Sequence, residues 1–228
     1  MEAANNVLSE QEGAASLPES GLDAEWIRVL EAAAPVYRER WWPEHNRANL
    51  AWIAAVHPLV DRYAGAITKE LAKAYGASWP SRPVLTDVTE WAGRTGAYTN
   101  INPVHVTVSS VNPANGGPAA LEILFHEASH GLILGIRDAI SREARAQGRA
   151  LVRPDLWHVV LFYTAGDTVA RHLDGYTTYA VKNGVYARAW PGAQAALDQD
   201  WKPYLEGKID RETAIRRLVM DYSAPQNR

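Results

Sequence analysis

At 228 residues, with 47% hydrophobic and 21% charged side chains, the chain is long enough to bury one large core or two small lobes sharing a cleft. Its net charge of −3 gives no basic footprint for nucleic acid. The absence of cysteine excludes disulfides, thiolate metal sites and cysteine nucleophiles together, leaving histidine, aspartate and glutamate as metal-ligand types.

No apolar run reaches the length of a bilayer span, so no transmembrane segment is expected. Residues 1–20 are rich in Ala, Asn, Ser, Glu and Gly without periodicity and read as a disordered tail. They lack the basic and apolar regions of a signal peptide. The compartment is open: cytoplasmic, or exported with a leader that this sequence does not carry. Residues 21–228 are expected to form a single domain, with one lobe up to about residue 135 and a helical lobe after it.

A helix is expected over residues 22–40, with Trp26, Ile27, Leu30, Ala34 and Tyr37 on one face, a kink at Pro35 and a break at Trp41-Trp42-Pro43. A second helical region runs over 44–75, where Pro58 and Gly65 argue against one uninterrupted helix and Gly76 is a stop signal. His45 and His57 lie there without a partner at ligand spacing, and are read as surface or hydrogen-bonded histidines. The tryptophans Trp41, Trp42, Trp52 and Trp91 are read as core. Residues 77–111 change character. Pro83–Val88 is one candidate strand; Val104–Ser109 is the better one, because it alternates strictly. A turn over 112–117 then leads into the next helix.

That helix carries His126-Glu127-Ala128-Ser129-His130, a His-Glu-x-x-His pattern. Pro118 can open it and Gly135 can end it. Leu121, Leu124, Phe125, Ala128 and Leu132 form an apolar stripe, so the helix is expected to be buried. Residues four apart share a face, so His126 and His130 can offer two imidazoles to one metal ion. Glu127 is the next residue round and can act as general base on water at that metal. Burying these three groups is costly unless they are paired or bind metal.

The chain here resembles the zincin metallopeptidases, on this motif and on the order of elements around it, over roughly residues 84–175. The Gly and His of the longer metzincin pattern are replaced by Ile133 and Ile136, and the inverted order is absent. A gluzincin-like layout remains, with a third ligand from a later helix, although the usual Asn-Glu-x-x-x-Asp form of that helix is missing. The resemblance implies an α+β, mostly helical, zincin-like fold: a small sheet before the active helix and a helical C-terminal lobe. It also implies that the strand just before that helix, Val104–Ser109, is a sheet edge that binds substrate backbone.

Beyond the motif, a charged helix is expected over 137–149. Another starts at Arg153-Pro154-Asp155 and is hydrophobic almost all round. It carries His158, the favoured third metal ligand, because a buried imidazole without a metal needs some other partner. Glu143, Asp167 and His172 are the rivals. Glu143 sits on a charged helix, Asp167 faces away from His158, and His172 is four turns further along. Tyr163, Tyr176 and Tyr179 are candidate donors to a reaction oxyanion, with Tyr163 the first choice. Residues 175–190 look irregular. Two more helices are expected near 192–205 and 211–222, the second capped by Asp210.

The function expected from this set is zinc-dependent peptide-bond hydrolysis, with zinc on His126, His130 and His158, Glu127 as base, and a peptide or protein as substrate. A zinc-binding protein without peptidase activity and a metal-free helical interaction module are the alternatives.

Overall fold

Ile67, Leu71 and Tyr75 recur at helical spacing and are fully buried, anchoring the end of a 34-residue helix. The computed structural model describes residue 7, residues 16–151 and residues 154–225. Most of the expected tail therefore lies outside the described residues, as do Val152 and Arg153. Leu17–Ser20 form a 3-10 turn with Ser20 buried. Helix α1 (Ala24–Arg40) follows, its first turn capped by Asp23, which accepts from the Glu25 N–H at 3.0 Å.

Helix α2 (Trp42–Tyr75) runs unbroken through Pro58 and Gly65 to Gly76, which takes a left-handed conformation as the C-cap. The expected division of this region is wrong. Pro58 and Gly65 are exposed, and so is Ala54, whose carbonyl loses its helical donor at Pro58. Water can satisfy that carbonyl. Meanwhile the opposite face buries Val56, Ile67 and Leu71, and tertiary packing overrides local propensity. The tryptophan expectation also fails for three of four: Trp41, Trp42 and Trp91 are 52%, 43% and 72% exposed. Helix α1 has no buried residue and packs chiefly along α2, which leaves Trp41 and Trp42 at the surface. Trp52 is half-buried, and its indole N–H donates to the Asn115 carbonyl at 2.9 Å.

Strands β1 (Leu85–Thr89), β2 (Ala97–Ile101) and β3 (Val104–Ser109) form a sheet in the order β1-β3-β2. β3 pairs parallel with β1, Leu85 opposite His105, and antiparallel with β2, Thr99 opposite Val106. The bounds of β3 agree with the sequence reading, but its expected role as sheet edge is overturned. It is the central strand, paired on both sides, so its backbone has nothing left to offer an extended peptide. β2, which sequence reasoning missed, is one of the two edges of this sheet, and β1 is the other.

Helix α3 (Pro118–Ser129) carries the His-Glu-x-x-His motif, and α4 (Leu134–Ala146) follows after a bend of 66°. The break comes earlier than Gly135, which sits inside α4. Two local causes are visible. Ser129 donates its hydroxyl to the Phe125 carbonyl at 2.6 Å, competing with the helix's own bonding. The chain then meets β3 at Gly131, where a Cβ would lie 2.6 Å from Val104 Cγ2.

Strand β4 (Arg149–Leu151) precedes α5 (Leu156–Ala170), in which ten residues are buried. The stretch expected to be irregular holds two short helices, α6 (Tyr179–Lys182) and α7 (Val185–Ala189). Helix α8 (Ala193–Ala196) continues through a π turn (Leu197–Trp201) into α9 (Lys202–Leu205). Helix α10 (Arg211–Asp221) starts at Asp210 as expected, with the Thr213 N–H donating to its carboxylate at 2.7 Å. β5 (Ser223–Pro225) pairs antiparallel with β4.

The chain is thus mostly helical with a small three-stranded sheet. One core runs from Ile67 through α3, α4 and α5 to Tyr222. A smaller cluster of Ala97, Val108 and Ile123 ties the sheet to α3. No single helix among the described residues is long and apolar enough to cross a membrane.

Candidate metal centre

α3 is buried along nearly its whole length, and its two motif histidines leave it at the C-terminal end. His126 is 2% exposed. His130 is the C-cap, yet its backbone keeps helical angles (φ −56°, ψ −31°), so the i, i+4 alignment with His126 survives the end of the helix. α5 crosses α3 and brings His158 to the same point. The three rings form a near-equilateral triangle, with centroid separations of 5.2, 5.3 and 5.1 Å.

One potential ligand atom from each histidine lies within 4.8 Å of the other two. The Nε2 atoms of His126 and His158 are 3.4 Å apart. Two nitrogens at zinc bonding distance in a tetrahedral shell are about 3.3–3.4 Å apart, so this edge of the triangle already has the span a zinc ion requires. The donor set, three imidazoles and no thiolate, also suits a catalytic zinc site with an open position.

Aromatic rings enclose the triad. Phe162 lies 3.8 Å from His126 between centroids, Trp157 stacks on His158 at 5.1 Å, and Trp190 meets His158 edge-on at 5.6 Å. Burial among these rings penalises the imidazolium form. It drives His126 well below the usual histidine range, helped by the neighbouring His130 and His158, and brings His130 down to about 4. Burial lowers His158 as well, against the opposing charge of Asp155. All three rings are therefore neutral at neutral pH, the form in which imidazole binds metal. Among the described residues His126 Nδ1 has no hydrogen-bond partner, and the ring packs against Phe162.

Glu127 is 7% exposed, and its Oε2 lies 3.8 Å from His130 Nε2, on the same side as the triad. Burial pushes its carboxyl up to about 7, against the lowering effect of a hydrogen bond from Thr99. That hydroxyl comes from the edge strand β2 and lies 2.8 Å from Oε2. A carboxyl poised near neutrality beside three converging imidazoles has the properties of a general base.

The other candidates are employed elsewhere. Glu143 accepts from Gln147 at 2.8 Å, Asp167 pairs with Arg171, and His172 pairs with Glu70 at 2.9 Å. His45 and His57 pair with Glu90 and Asp61. Tyr163 is not brought to the triad. It sits five residues past His158 on α5, turned to the far side, and donates to Asp198 in a separate cavity of about 230 Å³. Tyr176 donates to the buried Glu122 at 2.7 Å. Tyr179 is the tyrosine of the three that lines the triad's cavity, and its backbone N–H donates to Glu122 at 2.8 Å.

That cavity measures about 610 Å³ and includes Thr99, Tyr98, Arg94 and Arg188, none of which sequence reasoning selected. The signal for Thr99 was the β-prone run Tyr98-Thr99-Asn100-Ile101, bounded by Gly96 and Pro103. No signal in the sequence singled out either arginine. Compared with protein-family models, curated proteins and solved structures, the chain matches none.

Proposed function

We propose that this chain is a zinc-dependent peptidase whose centre is His126, His130, His158 and Glu127. The observation that carries the reading is the convergence of three imidazoles, one buried and two half-buried, on one point beside a buried carboxyl raised to about 7. Zinc, when bound, supplies Lewis acidity that makes water a nucleophile at neutral pH. Glu127 takes up a proton at its carboxylate and delivers it to the leaving amine. Thr99 holds that carboxylate in one orientation through its hydroxyl. The aromatic wall of Trp157, Phe162 and Trp190 covers part of the imidazole rings, and partial burial strengthens electrostatic interactions there. Tyr179 is the candidate oxyanion donor, because its ring stands on the cavity wall beside Phe162. The free edge of β2, with Tyr98 and Thr99 lining the cavity, is where an extended peptide can add to the sheet.

The test combines metal analysis with turnover. Protein purified without added metal should carry one zinc per chain and cleave an unfolded protein substrate. Glu127→Gln should keep the zinc and lose at least about 100-fold in rate. Zinc retention with no cleavage by the parent would leave a metal-binding protein without peptidase activity. Absence of zinc in the parent would remove the reading altogether.

A further inference from the structure

The walls of the triad's cavity carry an uneven charge. Among the described residues that line it, Glu127 is the only carboxylate, and Arg94 and Arg188 are the arginines. Two guanidinium groups and one carboxyl group therefore line the cavity, in a chain whose net charge is −3. The arginines approach from different parts of the fold. Arg94 stands in the loop between β1 and β2, and Arg188 on α7.

Three other arginines lie against carboxylates. Arg171 pairs with Glu70 and Asp167, Arg137 with Asp138, and Arg216 lies 3.9 Å from Glu143. Arg94 and Arg188 have no carboxylate partner among the described residues. Arg188 donates through Nη1 to the Asn183 carbonyl, which leaves its other N–H groups available. Arg188 is exposed and lines the cavity together with Tyr179.

We propose that Arg94 and Arg188 form a carboxylate-binding subsite, so that the preferred substrate is a peptide with a carboxylate close to the scissile bond. The inference rests on the reading of the centre as a peptidase, which fixes the anion as one that peptides carry. A planar guanidinium matches a carboxylate through two parallel hydrogen bonds, and two of them flanking one cavity select for negative charge. The carboxylate has two sources, an Asp or Glu side chain or the free end of the substrate chain.

Binding to the zinc-loaded Glu127→Gln protein, measured by calorimetry, separates these questions from turnover. The probes are a capped alanine pentapeptide with central glutamate, its glutamine counterpart, and an alanine tripeptide with either a free or an amidated C-terminus. At least one carboxylate form should bind on the order of 10-fold more tightly than its neutral counterpart. The glutamate pair reports the side-chain source and the tripeptide pair the terminal source. Arg94→Gln and Arg188→Gln should each erode that preference, whereas Arg38→Gln on α1 should not. Equal binding within both pairs, no binding of any probe, or a preference untouched by both cavity substitutions would overturn the subsite. Cleavage by the parent without preference for acidic substrates would remove the subsite and leave the peptidase reading standing. Selective binding with no cleavage by the parent would do the reverse.

Discussion

Thr99 and Glu127 are joined through a single hydroxyl, which lies 2.8 Å from the Glu127 carboxylate and 2.9 Å from its backbone carbonyl. The edge strand β2 and the helix carrying Glu127 are thereby held in register. Thr99→Val keeps the shape and removes the donor. We expect kcat to fall about tenfold with KM and zinc content unchanged, and Thr99→Ser to restore most of the loss. Steady-state kinetics with metal analysis checks this. An unchanged kcat would mean that Glu127 is positioned by packing alone.

His158→Ala removes the one imidazole that α5 adds to the His126–His130 pair. Zinc affinity should drop by more than about 100-fold, while far-ultraviolet circular dichroism stays near that of the parent. Competition with a chromogenic chelator measures the affinity. Parental affinity in the variant would show that the two α3 histidines recruit some other third ligand.

Gly131→Ala tests the contact that ends α3. The new methyl would lie 2.6 Å from Val104 Cγ2, a distance that requires movement. A loss of about 1–3 kcal/mol is expected, recovered in part by the double change with Val104→Ala. Urea titrations of the four proteins give the coupling, and additive effects would rule out the contact as the cause.

Glu122 gives the metal-free protein a pH dependence of known sign. Burial raises its carboxyl to about 7, opposed by hydrogen bonds from Tyr179 and Tyr176. The folded state thus keeps a proton that the unfolded chain has lost. Stability from this group is fully present below about pH 4.5 and disappears as pH rises through about 7. Glu122→Gln should therefore flatten the decline between pH 5 and 8 by something on the order of 3 kcal/mol. The buried histidines act oppositely at lower pH, so parent and variant must be compared at each pH. Parallel curves would show that Glu122 ionises normally.

The sequence carried the histidine cluster better than it carried the sheet. Spacing alone aligned His126, Glu127 and His130, and the apolar surroundings of His158 marked it as the imidazole to join them. Those inferences needed one helix at a time. The edge role assigned to Val104–Ser109 required knowing a neighbour's position, and alternation within a strand says nothing about which flank is free. Tyr163 failed similarly: its place after His158 was visible, but rotation about α5 turns it towards Asp198. The unbroken α2 lay beyond local reading because Pro58 and Gly65 are tolerated only on a face that tertiary packing leaves wet. Arg94 and Arg188 stand in separate segments, and only the folded chain brings them to one cavity.

His130 closes α3, and His158 sits in the first turn of α5, with the bend into α4 and the short strand β4 between them. An ion gripping both ends would act as a tether across residues 131–157. Any excursion that swings α5 away from α3 would first have to release it. Each tenfold rise in free zinc above the dissociation constant would then add about 1.4 kcal/mol to the cost of that opening. Amide exchange in α4 and β4 would slow in step with zinc concentration, while exchange in the three-stranded sheet would not. The same ion that serves the chemistry would thus set how often this half of the molecule breathes.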